Sequence, residues 1–320
     1  MRSFRRIVRI ILFLLLVICI NKVLLLALKP HNFFRNDVYH MRKDHYEDVF
    51  IGTSHGKAGI RPNTVDEVTG RKSINLCLGG EYPIDSYFII KELCRKKSPD
   101  RVIYELDPGY WVTEVSPGPD YASIYEELPW SPVKLEYFAA KMMKEDFRTA
   151  LFPWYVYRQG MKKAPEMFCS RFDRAYLNYE DSFYDSELQS YGEGGTVSIH
   201  RLERPKCEEV PGLWKEEELK EKSVRYFEKL VSLCEEQGIE LVVITTPVPN
   251  ETREKYKDNF EGADAFFCEY LEDKEIAYYN FDKIEIEGFD RTVGGFSDYE
   301  GHMYEDQAET FSRKLGEILK

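Results

Sequence analysis

From residue 48 onward the chain alternates short apolar runs with amphipathic stretches. Residues 48–53, 73–78, 101–106, 239–244 and 276–281 read as strands, most of them closed by glycine, proline or other turn residues. Between and after them lie helical patterns. Residues 83–96 place Tyr87, Ile90 and Leu93 at helical spacing behind Pro83, which suits a first turn. Residues 215–237 form a long amphipathic stretch stopped by Gly238, and 251–271 and 304–319 repeat the helical pattern. Near-continuous apolar strands separated by helices predict a parallel sheet covered on both faces. The expected fold is α/β: a three-layer, flavodoxin-like sandwich with a five-stranded parallel sheet.

The rhythm breaks between about 111 and 212. This stretch is rich in Tyr, Trp, Phe and Pro, as at 151–157, and reads as an insertion between the third and fourth strands. Within it, 133–150 is expected to be helical and 191–198 a glycine-serine loop. The aromatic run suits the packed core of a subdomain better than a sugar-binding platform.

The N-terminus carries a different pattern. Arg2, Arg5, Arg6 and Arg9 precede apolar runs at 10–20 and 23–28, separated by Asn21 and Lys22. One helix over 7–28 would cross a hydrocarbon core of about 30 Å at about 1.5 Å per residue. The preceding arginines would hold its start in the cytoplasm and leave the body outside. A cleaved signal peptide is the rival reading, but Val23-Leu24-Leu25-Leu26 stands where a small-residue cleavage site would be needed. The expected organisation is a cytoplasmic tip and single-pass anchor over 1–30, a juxtamembrane linker over 31–47, and the α/β domain over 48–320.

Charge sharpens this picture. The net charge is −12, and the six positive and no negative charges of residues 1–30 leave the remainder at −18. A body that acidic would repel phosphates, which argues against nucleic-acid binding. The seven cysteines have no metal-ligand spacing, and no metal or cofactor is expected from the sequence. Outside the cell one or two disulfides are open to the six cysteines beyond Cys19; buried free thiols are the simpler reading.

In open parallel sheets ligands bind beyond the carboxyl ends of the strands. Those ends carry Gly52-Thr53-Ser54-His55-Gly56, then Gly79-Gly80, then Asp107, then Thr245-Thr246, and, before the last helix, Ser297-Asp298-Tyr299-Glu300-Gly301-His302. A serine hydroxyl needs a base to become a nucleophile, and an imidazole needs an acceptor to fix its tautomer. Ser54, His302 and Asp298 supply that set. The backbone N–H groups of Ser54, Gly79 and Gly80 are candidates for an oxyanion hole. The simpler readings are an incidental serine in a glycine turn, a surface histidine with a capping aspartate, and an ordinary glycine turn. His55 reads as a helix-start or rim residue, and His200 carries no signal. A metal held by Asp107, His55 and His302 is conceivable, though nothing in the spacing favours it.

The arrangement resembles the SGNH/GDSL hydrolase superfamily over about 48–106 and 239–320. Gly52-Thr53-Ser54 stands for its serine block, Leu78-Gly79-Gly80 for its glycine block, and Asp298 with His302 for its closing block. Within the superfamily it looks most like the membrane-anchored branch that acylates surface polymers, such as the D-alanyl-lipoteichoic acid biosynthesis D protein and the alginate O-acetylation proteins. Three positions depart from the pattern. Thr53 replaces an Asp, and Asp298 precedes His302 by four residues rather than three, so that one residue, Gly301 being a candidate, must bulge. Asp107 occupies the place of an oxyanion-binding Asn, where its charge would be expected to repel an oxyanion. The resemblance implies an esterase or O-acyltransferase acting on a cell-surface glycopolymer or acyl donor, with room for a membrane acyltransferase partner. The alternative is a catalytically inactive scaffold or polymer-binding protein of an envelope acylation complex.

Overall fold

The computed structural model describes residues 2–114, 123–144 and 151–320. Two compact units divide the chain, Phe33–Ser116 with Tyr184–Lys320, and Met1–Asn32 with Pro117–Phe183. The first unit contains seven strands among its described residues: β1 (Asp48–Ile51), β2 (Ser73–Asn75), β3 (Arg101–Glu105), β4 (Gln189–Gly192), β5 (Thr196–Ile199), β6 (Glu240–Thr245) and β7 (Ala277–Asn280). Five of them form a parallel sheet in the order β2-β1-β3-β6-β7, while β4 and β5 pair antiparallel as a hairpin. This is the flavodoxin-like strand order.

Continuous apolar strands arise because both faces are covered. Val49, Phe50 and Ile51 of β1 are all fully buried. Phe50, Ile103, Val242 and Ile244 point into a core closed by Phe311 and Leu315 of the last helix, Glu305–Leu319. That helix packs on helix Pro62–Thr69. Tyr104 meets Phe227 instead, ring centroids 5.3 Å apart, under the paired helices Pro83–Cys94 and Glu221–Gln237.

The elements are shorter than the apolar pattern suggests. β2 ends at Asn75, yet the N–H groups of Leu76 and Leu78 still bond to the carbonyls of Phe50 and Gly52. The expected helix over 251–271 is two helices, Asn250–Lys255 and Lys257–Glu272, because Tyr256 leaves helical geometry at φ −120°, ψ 33°. Lys215 does not start a helix; Glu216–Glu218 form a 3-10 turn, and the long helix begins at Glu221. The linker expected over 31–47 contains helix Phe34–Lys43. The glycine-serine loop expected at 191–198 is the β4–β5 hairpin.

In the second unit, helix Arg2–Leu28 is long and apolar enough over Phe4–Leu28 to cross a membrane. Its later turns are bonded to the insertion. The Trp154 indole N–H donates to Asn21 Oδ1 at 2.6 Å, and Arg171 donates to the carbonyls of Leu26 and Lys29 and to the Tyr176 hydroxyl. Lys29 pairs with Glu127. The aromatic run thus packs in part on the N-terminal helix. Of the helix expected over 133–150, Pro132–Ala140 forms, followed by a 3-10 turn at Met142–Lys144; residues 145–150 lie outside those described. All seven cysteines are free thiols.

Candidate active site

β1 delivers the chain to Gly52 and Thr53 at the carboxyl edge of the sheet. Thr53 is extended and caps the short helix Ser54–Gly59 by accepting from the His55 N–H. Its own backbone N–H and hydroxyl both donate to Glu105 Oε2 at the end of β3, at 2.7 and 2.8 Å. The departure of Thr53 from the resembled pattern therefore has a local role: two bonds to a buried carboxylate fix the turn that presents Ser54.

The closing segment is held as tightly. Asp298 Oδ1 accepts the backbone N–H groups of Glu300, Gly301 and His302 at 3.0–3.2 Å. The Ser297 N–H donates to the His302 carbonyl at 2.8 Å. The extra residue between Asp298 and His302 is absorbed at Gly301, whose φ of +124° few other residues adopt. The end of the insertion clamps this loop from outside. Arg201 pairs with Asp306 and donates to the Gly294 carbonyl, and Lys206 donates to the carbonyls of Val293 and Phe296.

These two segments bring the three expected residues together. His302 Nδ1 lies 2.8 Å from Asp298 Oδ2, and His302 Nε2 lies 2.8 Å from Ser54 Oγ. With the carboxylate accepting from Nδ1–H, Nε2 is left to accept from the serine hydroxyl. Burial alone would raise the Asp298 pKa. The hydrogen bond from His302, with those from the Gly301 and His302 backbone N–H groups, overrides it and holds the carboxyl well below the usual range.

Gly79 lies against Ser54, a hypothetical Cβ falling 3.7 Å from the serine Cβ, and both line one crevice. Gly80 turns away with φ +74°, its backbone directed at the Tyr110 phenol. The Ser54 N–H, at the first position of its helix, has no intrahelical partner.

His55 and Asp107 differ from the sequence reading. His55 is the helix-start residue expected, second in Ser54–Gly59, but it lies off the rim: it is 7% exposed, with Nδ1 3.4 Å from Asp107 Oδ2 and its ring 4.8 Å from that of His302. Burial alone would lower its pKa. The hydrogen bond and charge of Asp107, backed by Glu105 and Asp298, push it up to about 9. Asp107 also accepts the Gly109 N–H at 2.8 Å. The aspartate expected to repel an oxyanion is thus matched to a charged imidazole. Ligating atoms of His55, Glu300 and His302 lie within 4.8 Å of one another, but both His302 nitrogens are already bonded. A cation could enter that cluster only by breaking the serine–histidine–aspartate chain.

The crevice holding Ser54, Asp298 and His302 measures about 330 Å³. Its wall includes residues the sequence reading missed: Leu188, Gln189, Tyr191, Val197, Ile199 and Arg204, together with Phe33. The hairpin reaches the site because Gly195, at φ +78°, lets the turn press onto the edge of β2. A Cβ there would fall 2.3 Å from the Asn75 carbonyl oxygen. The alternation of Tyr191, Val197 and Ile199 across a glycine turn was the available signal.

No protein-family model matches this chain, and no curated protein does so. Among solved structures it is similar to a protein from Desulfitobacterium hafniense DCB-2 described as lipolytic and of the G-D-S-L family. The TM-score is 0.40 at 10% identity, over 86% of this chain and 99% of that one. A likeness so distant carries no functional argument; the geometry above carries it instead.

Proposed function

We propose that this chain is a membrane-anchored, extracytoplasmic serine esterase or O-acyltransferase of the SGNH type, acting on an acylated cell-surface glycopolymer. The observation that carries the reading is the continuous Ser54–His302–Asp298 hydrogen-bond chain, joined by two segments 248 residues apart. The resemblance of the serine, glycine and closing blocks supports the superfamily, and the apolar N-terminal helix supports the anchor.

In this mechanism Ser54 Oγ attacks the ester carbonyl while His302 Nε2 takes its proton. Asp298 holds the tautomer and stabilises the imidazolium. The carbonyl oxygen becomes an oxyanion facing the N–H groups of Ser54 and Gly79, the Gly80 N–H being directed at Tyr110 instead. Collapse breaks the ester C–O bond, and His302 returns the proton to the leaving alcohol. The acyl-serine is then cleared by water, giving hydrolysis, or by an acceptor hydroxyl, giving transfer. A fluorophosphonate probe should label the wild type and leave Ser54→Ala unlabelled; equal labelling of both would refute the serine mechanism.

A second reading is a non-catalytic scaffold of an acylation complex. The lack of an oxyanion-binding Asn, whose place is taken by an Asp107 turned to His55, favours it. Full restoration of surface-polymer acylation by His302→Ala in cells lacking the protein would establish that reading, and loss at normal expression would reject it.

A further inference from the structure

The crevice in front of Ser54 has one polar end and one apolar wall. Ser54, Asp298 and His302 occupy the polar end, and Phe33, Ala58, Leu188, Tyr191, Val197 and Ile199 form the wall. The wall is held in place by contacts of its own. Tyr191 packs on Phe33 with ring centroids 4.5 Å apart, and Arg61 donates to the Ser198 hydroxyl at 2.8 Å. Gly195 seats the turn on β2. Two cations border the space. Lys57 is bound to Asp37 and to the Asn75 carbonyl, at 2.8 and 2.9 Å, whereas Arg204 is exposed at the mouth.

We infer that the β4–β5 hairpin makes this crevice an acyl-binding pocket for an uncharged, apolar acyl chain. This rests on the esterase reading and names the acyl group that reading leaves open. At about 30 Å³ per methylene the 330 Å³ crevice would hold about eleven carbons, and its polar end at Ser54, Asp298 and His302 leaves room for a chain of roughly eight. An ammonium-bearing acyl group such as alanyl would have to give up its water against this apolar wall, because the one carboxylate lining the crevice, Asp298, is already bonded to His302. An apolar chain covers the hairpin's inward side chains and leaves the ester carbonyl at Ser54.

The test uses the full-length protein in detergent with p-nitrophenyl esters from acetyl to decanoyl, and compares alanyl with isobutyryl esters of the same alcohol. kcat/KM should rise about 2- to 4-fold per added methylene up to roughly eight carbons, and isobutyryl should exceed alanyl at least tenfold. Ile199→Trp, which narrows the pocket, and Leu188→Asp, which makes an exposed part of its wall polar, should each cut the octanoyl-to-acetyl ratio at least tenfold. A flat chain-length profile, a preference for alanyl, or a ratio that neither variant alters would overturn the inference. Ser54→Ala separates the two levels. If it retains turnover, the esterase reading itself fails; if it abolishes turnover while the profile is flat, only the acyl pocket fails.

Discussion

Asp107→Asn offers a direct measure of the buried pair behind the candidate nucleophile. His55 and Asp107 have side chains only 8% and 5% exposed, and the imidazole pKa is raised from 6.5 to about 9. A shift of that size corresponds to about 3 kcal/mol of stability at 1.36 kcal/mol per unit. Because the folded value is raised, this contribution is fully present below pH 6.5 and disappears as the pH climbs through 9. Asparagine keeps an oxygen for the Gly109 N–H but removes the charge that outweighs burial. The His55 pKa then falls below its ordinary value, and the folded protein holds a neutral ring. At about pH 6 the variant should therefore be less stable by about 3 kcal/mol or slightly more, and by about pH 10 the difference should shrink to roughly 1 kcal/mol or less. Denaturant unfolding in detergent, followed by the fluorescence of the buried Trp111 and Trp214, reads both values. An equal penalty at the two pH values would show that His55 is not held charged by Asp107.

Three further outcomes follow from the same structure. Asp298→Asn places an amide N–H against His302 Nδ1, forces the other tautomer, and should lower kcat about 10³- to 10⁴-fold with KM nearly unchanged in steady-state ester hydrolysis. Gly195→Ala sets a methyl group against the Asn75 carbonyl at positive φ; a loss of about 2–4 kcal/mol in denaturant unfolding, with weaker turnover of long-chain esters, is expected. Carbonate-washed membranes should retain the chain and detergent should release it; recovery in the carbonate supernatant would count against the anchor.

The sheet was legible because its strands are buried on both sides, so that Val49-Phe50-Ile51 or Val242-Val243-Ile244 reads as an uninterrupted apolar run. Ser54, Asp298 and His302 were legible because strand ends in such a sheet converge. The pairing of Asp107 with His55 was not legible, for the opposite reason. A buried pair drawn from two strand ends is visible only once both partners are placed. The hairpin was obscured by Gly192, Gly194 and Gly195, whose local preference for loops masks the pairing of Tyr191 with Val197. The two shortened helix predictions came from stretches whose polarity suits a helix but whose backbone departs from it, at Leu219 and Tyr256.

The distance along the chain between Ser54 and His302 has a consequence for synthesis. A ribosome that has made the nucleophile, the glycine turn and the whole insertion has still not made its base. Under the proposed mechanism an unfinished polypeptide therefore lacks the group that would activate Ser54. The Ser54–His302 hydrogen bond closes only when the last helix packs on helix Pro62–Thr69 and the imidazole is carried into place.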